Sequence, residues 1–174
     1  MPRIKLPAAD EHIPYYGKYI TLVGDDVLGQ LEALATSTPR LLAKAGPDQG
    51  DHRYEPGKWS VKEVVGHMAD AERVFSYRAL RIGRGDETAL PGFEQDDYVV
   101  AGHFDRRTLA DMAAEFAAVR AATLALFRSF DDEAILRRGT AAGGPVSVRA
   151  LAAIIAGHEL HHVGILKSRY GLKE

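Results

Sequence analysis

The sequence contains no cysteine. Disulfides, thiolate metal ligands and a cysteine nucleophile are excluded together, so any thiol chemistry would need a thiol brought by another molecule. Net charge is nearly absent as well: 22 basic against 24 acidic side chains give a formal −2, with no block of one sign. Nucleic-acid binding, which needs clustered Lys and Arg, has no electrostatic footprint here. No apolar run approaches the roughly 20 residues that cross a bilayer, so no membrane-spanning helix is expected. The opening stretch MPRIKLPAADEHIPYYG has neither an apolar centre nor a small-residue cleavage site. It does not read as a secretory signal, and a cytoplasmic location follows.

What remains is a chain of 174 residues, 46% apolar and 26% charged, the balance of a soluble globular domain spanning residues 1–174. Four segments carry apolar residues at alternating spacings of three and four, the period of an amphipathic helix. The first runs from about Asp25 to Ala45, with Leu28, Leu31, Leu34, Leu41 and Leu42 on one side and Pro39 expected to kink it. The second opens at Ser60-Val-Lys-Glu63, a capping box, and carries Val64, His67, Ala71, Val74 and Arg78 before Gly83 and Gly85 end it. A third opens near Thr108 with Leu109, Met112, Phe116, Val119, Thr123, Leu126 and Phe130. The fourth starts at Ser147 and carries Leu151, Ile155, His158, His162 and Ile165 up to Gly171. These predict an all-α four-helix bundle. About twenty residues separate helices two and three, enough to cross the bundle's length, which allows an up-down-down-up order. That crossover contains Phe93, Tyr98 and Phe104, so it is expected to be ordered and to cover one end of the core.

Seven histidines are present, and position decides their reading. His158 and His162 are four apart, so both project from one helix face. Both fall on the inward stripe, as His67 does on helix two. Three inward imidazoles are costly to bury unless their nitrogens find partners, and one divalent cation would satisfy all three. The alternative is a set of core histidines bonded to buried carboxylates or carbonyls; an i, i+4 pair plus a third histidine on a facing stripe favours the metal. His161 reads as a flanking residue, and His12, His52 and His103 fall in loop-like segments with surface roles.

His158-Glu-Leu-His-His162 also matches H-E-x-x-H, the zinc-protease helix motif with Glu159 as general base. Only twelve residues follow His162, and none is a histidine. Nor does any segment show the alternation of a strand that could pair with an extended peptide. The protease reading is set aside on both counts, with Glu159 kept as a candidate catalytic residue or a partner of the ligands.

Four pieces in order carry a family resemblance: Pro56-Gly-Lys-Trp59-Ser-Val-Lys-Glu-Val-Val-Gly-His67, Asp70-Ala-Glu72-Arg73-Val-Phe-Ser-Tyr77-Arg78-Ala-Leu-Arg81, Leu90-Pro-Gly-Phe93-Glu-Gln-Asp-Asp97-Tyr98 and Gly157-His158-Glu-Leu-His-His162. In this order and spacing the chain resembles the DinB/YfiT-like superfamily of four-helix-bundle metalloproteins, its second DinB branch in particular. The resemblance implies an up-down-down-up bundle, frequent homodimers, and a metal held by three histidines matching His67, His158 and His162. It also implies thiol-dependent S-transferases using bacillithiol or mycothiol, an isomerase that depends on mycothiol, and metal-dependent hydrolases as relatives.

Three neutral imidazoles leave open coordination positions, the pattern of a catalytic metal site. Zinc or nickel head the divalent transition metals that such nitrogen ligands suit. The expected chemistry is attack by a thiolate or hydroxide on a small electrophile, conjugation first and hydrolysis second. A non-catalytic metal-binding bundle is the rival. Tyr77 and Arg78 are candidate helpers beyond His67. Arg78 could pair with an anionic co-substrate, or simply with Asp70, Glu72 or Asp96. Asp70 could orient an imidazole, and Trp59 is expected to plug the end of the core.

Overall fold

The computed structural model describes residues 4–173. After two short 3-10 turns, α1 (Gly17–Ile20) leads to α2 (Val27–Ala43), α3 (Val61–Gly83), α4 (Gln95–Gly102), α5 (Leu109–Arg128), α6 (Asp132–Leu136) and α7 (Val148–Ser168). A hairpin of β1 (Arg138–Ala141) and β2 (Gly144–Ser147) lies between the last two. The four long helices begin where side chains can satisfy orphan amides. Asp26 accepts from the Gly29 amide at 3.1 Å, Thr108 from Asp111 at 3.1 Å and Ser147 from Ala150 at 3.0 Å. At α3 the capping box is complete: Ser60 Oγ accepts the Glu63 amide at 3.2 Å, and Glu63 Oε2 accepts the Ser60 amide at 2.6 Å.

Helices α2, α3, α5 and α7 form the expected bundle, up-down-down-up. Arg73 meets Glu115 and, farther on, Arg84 meets Ser129, so α3 and α5 run parallel. His67 faces His158 while Trp59, upstream, accepts a hydrogen bond from Tyr170, so α3 and α7 run antiparallel. The crossover between α3 and α5 is ordered, as expected, and contains α4. Phe104 from this stretch is buried against Gly66 of α3, where any side chain would collide with its ring.

Two features depart from the sequence reading. A two-stranded hairpin exists where no strand was expected; its four-residue strands show no apolar alternation. A tight turn makes it, with Ala142 and Gly143 both at positive φ. The second departure is in α7, whose residues from Ala150 to Glu159 are all buried rather than striped. The hairpin, α6 and the segment carrying α1 cover the faces that a bare bundle would leave exposed.

The bulkiest fully buried side chain is Arg120 of α5, 1% exposed. Its Nε and Nη2 donate to the two oxygens of Glu72 on α3 at 2.8 Å each, Nη2 also donates to Glu159 on α7, and Nη1 donates to the Leu31 carbonyl of α2 at 3.2 Å. One guanidinium therefore ties all four helices together. Burial pushes the Glu159 carboxyl pKa up, against the pull of Arg120. Replacing Arg120 by Leu strands two buried carboxylates without their cation. The expected cost is about 3–5 kcal/mol, a fall in Tm of roughly 6–20 °C for a chain of this length. Thermal melting by circular dichroism measures it; an unchanged Tm would mean the cluster does not hold the bundle.

Candidate metal centre

His67 lies on the second turn of α3, and His158 and His162 lie one turn apart on α7. Their Nε2 atoms converge: His158 Nε2 is 3.0 Å from that of His67 and 3.1 Å from that of His162. Two nitrogens bound at right angles to one ion, each at about 2.1 Å, are themselves about 3.0 Å apart. The donor set and its spacing thus fit one divalent cation. All three rings are buried. Burial lowers the His67 pKa to about 4, with Asp96 pulling slightly the other way. It lowers His162 to about 3, helped by His67, His161 and Lys18. His158 is pushed well below its ordinary value by burial first and then by the two neighbouring imidazoles. Neutral imidazoles carry the lone pairs that a metal needs.

Aromatic rings hold the trio in place. Trp59 packs on His67 at 4.9 Å between centroids, Tyr19 on His158 at 5.3 Å, Phe75 on His158 at 6.0 Å and His161 on His162 at 5.1 Å. Tyr19 can come so close because position 157 is glycine; a Cβ there would lie 2.1 Å from the Tyr19 carbonyl oxygen. A cavity of about 330 Å³ opens onto His67 and His158, walled by Tyr15, Tyr16, Tyr19, Phe75 and Phe93 and rimmed by Glu94 and Asp96. A smaller one of about 170 Å³ reaches His162 from the side of Tyr54, Lys58, Trp59 and Tyr170.

The other candidates lie elsewhere. Glu159, one residue from His158 and so about a third of a turn around the helix, is buried in the Arg120 cluster and lines neither cavity. This corrects its assignment as a base beside the metal: the H-E-x-x-H spacing is present, but its carboxylate is bound to a guanidinium. Tyr77 is half exposed, its hydroxyl accepts a hydrogen bond from Arg81, and it also lines neither cavity. Arg78 is buried, with Nη2 donating to the Pro91 carbonyl at 2.7 Å; none of Asp70, Glu72 or Asp96 is its ion-pair partner. Asp70 pairs with Arg73 at 3.2 Å. His52 and His103 are exposed, and His12 is half buried beside the hairpin, its Nδ1 2.9 Å from the Ile13 carbonyl. Trp59 closes one end of the core and also stacks on a member of the trio.

Sequence reasoning missed Arg120 and the N-terminal wall. Arg120 was legible as four residues beyond Phe116 and three before Thr123, hence inward. Tyr15, Tyr16 and Tyr19 reach the cavity because Glu11, buried beneath β2, binds Arg149 and accepts from Ser147 Oγ at 2.7 Å.

The chain belongs to the DinB superfamily, whose family model matches residues 30–166. Among solved structures it is similar to YfiT from Bacillus subtilis, described as a probable metal-dependent hydrolase with an unusual four-helix bundle topology. The two share 18% identity over 96% of this chain and 94% of that one, with a TM-score of 0.72. It is also similar to a mycothiol-dependent maleylpyruvate isomerase, at 15% identity and a TM-score of 0.64, covering 83% of this chain and 61% of that one. No individually curated protein shows a significant sequence match.

Burial alone would raise the Glu11 pKa, but the Arg149 guanidinium and Ser147 hydroxyl outweigh it and hold the carboxyl at about 2 instead of 4.5. A lowered carboxyl pKa stabilises the folded state above about pH 4.5, and the benefit disappears as pH falls towards 2. At most about 3 kcal/mol is at stake. Glu11→Gln should lose this increment at pH 7 and narrow its gap from the parent protein as pH falls from 5 to 2.5. Urea unfolding of both proteins across that range measures it; a gap independent of pH would refute the assignment.

Proposed function

We propose that this protein is a metal-dependent enzyme in which His67, His158 and His162 hold one divalent transition metal, zinc or nickel foremost. In this reading it joins the thiol of a low-molecular-weight co-substrate to a small electrophile. The observation that carries the reading is the convergence of three buried imidazole nitrogens, with His67 and His158 lining an open cavity and His162 a second one. A hydrogen-bonded core cluster of histidines does not need three nitrogens on one point, nor a cavity leading to them.

The chemistry such an ion supplies when bound is Lewis acidity, which brings the pKa of a coordinated water or thiol near neutrality. The chain's own residues do the rest. The aromatic wall keeps bulk water from the trio and offers an apolar face to an organic substrate. The Tyr19 hydroxyl, like any phenol, is protonated at physiological pH, and burial only raises its pKa further, so it can donate a hydrogen bond. The absence of cysteine assigns the thiol to a second molecule. Two cavities reach the trio from different sides, which supports room for two partners. Hydrolysis of a small molecule is the second reading, favoured by the similarity to YfiT.

Protein purified without an affinity tag should contain about one metal per chain, the stoichiometry of a single three-histidine site. His67→Ala should abolish both that metal and turnover of an activated aryl halide with a panel of small thiols. Turnover without added thiol would select hydrolysis. Metal without any turnover would identify a non-catalytic binding protein, and absence of metal, with stability unaltered by His158→Ala, would overturn the metal reading.

A further inference from the structure

Arg78 is 3% exposed, yet among the described residues no carboxylate lies within ion-pair distance of it. Its contacts are the Pro91 carbonyl and the faces of two rings, Phe75 at 5.8 Å and Phe93 at 5.9 Å from the guanidinium carbon. A carbonyl and two aromatic faces relieve part of the cost of burying a guanidinium, but they leave its charge uncompensated. A guanidinium has five N–H donors in a planar fork, and one carbonyl does not use them up. The remaining side of this fork borders a cavity of about 390 Å³, formed by the Leu90–Glu94 stretch, Tyr16 and the Ala142–Gly143 turn.

That cavity is not isolated from the histidines. Tyr16, Phe93 and Glu94 line it and also line the cavity that opens onto His67 and His158. Phe75 touches both ends, with its ring against His158 on one side and Arg78 on the other. The two hollows therefore adjoin across shared side chains, with the histidines bordering one and a buried cation, one ring away, bordering the other. Glu94 stands on the shared wall, so a second negative charge on a ligand would meet repulsion.

We propose that the cavity beside Arg78 is a carboxylate subsite, which receives the anionic end of a monoanionic small molecule whose other end reaches the histidine trio. A planar carboxylate matches the guanidinium fork with two parallel hydrogen bonds. The same cavity, between Phe93, Tyr16 and the turn, has room for the apolar body. This deepens the metal-site reading and rests on it only for the role of the bound molecule as substrate; anion binding itself does not require the metal.

Calorimetric titration with benzoate, benzamide and phenyl phosphate tests the subsite in the full chain. Benzoate should bind, and uncharged benzamide should bind roughly ten- to a hundredfold more weakly, the worth of a charge-assisted pair. Arg78→Gln should lose benzoate binding to the same degree while keeping its metal and its helical circular dichroism. Should that variant fail to fold, Glu94→Gln serves instead: removing the negative charge on the shared wall should tighten benzoate binding about two- to threefold. His67→Ala separates the two readings, since it should lose the metal yet keep benzoate. No benzoate binding, equal binding of benzamide, tighter binding of phenyl phosphate, or no tightening in Glu94→Gln would each overturn the proposal. Benzoate binding that depends on His67 and not on Arg78 would also overturn it, while leaving the metal reading intact.

Discussion

The buried guanidinium of Arg120 sets the rotation of α7 about its own axis. Glu159 is drawn towards α5 and α3 by that charge, and successive residues on a helix are about 100° apart. His158 is thereby turned away from the ion cluster and towards His67, and His162 follows one turn later on the same face. A small rotation of α7 would carry both imidazoles off their common point with His67, so the site depends on a salt bridge that lines neither of its cavities. An ion cluster of this kind adds little net stability compared with apolar packing. Its contribution here is geometric: with partners on all four helices, it fixes one relative arrangement among many that an apolar core would tolerate.

The trio and the bundle were readable from the sequence because both rest on helical periodicity. Apolar residues at spacings of three and four locate the long helices, and His67, His158 and His162 interrupt otherwise apolar stripes. Start signals were equally plain, since Ser60, Thr108 and Ser147 cap their helices through their own side chains. What escaped was whatever depends on partners far away in sequence. The spacing of Arg120 turns it inward, but its partners Glu72 and Glu159 arrive from two other helices and are not announced by its own. The hairpin has no alternation to betray it, because its strands are four residues long and its pairing follows from a turn. Tyr15, Tyr16 and Tyr19 take their place through distant partners: Arg149 holds Glu11 just upstream, and α7 receives Tyr19 beside Gly157.

The H-E-x-x-H spacing shows how one short motif can support different chemistry. Both imidazoles behave as the motif suggests, converging from one helix face. The intervening glutamate does not, because its environment offers a cation and no reacting group. A motif specifies which side chains can meet on its own element; what they meet across the bundle is decided by the other helices. Apart from His67 and His158, the polar side chains that line the larger cavity beside the trio accordingly come from the crossover and from the segment before α2, which lie outside the motif.

The close seating of Tyr19 against Gly157 has a temporal side. The segment that walls the cavity leaves the ribosome well before α7, on which it rests. Long-range contacts of this kind form late, after their loop-closure entropy has been met. During synthesis His67 therefore emerges long before its two companions, with neither them nor its aromatic roof in place. The three imidazoles can converge only once α7 has been made and has docked on α3.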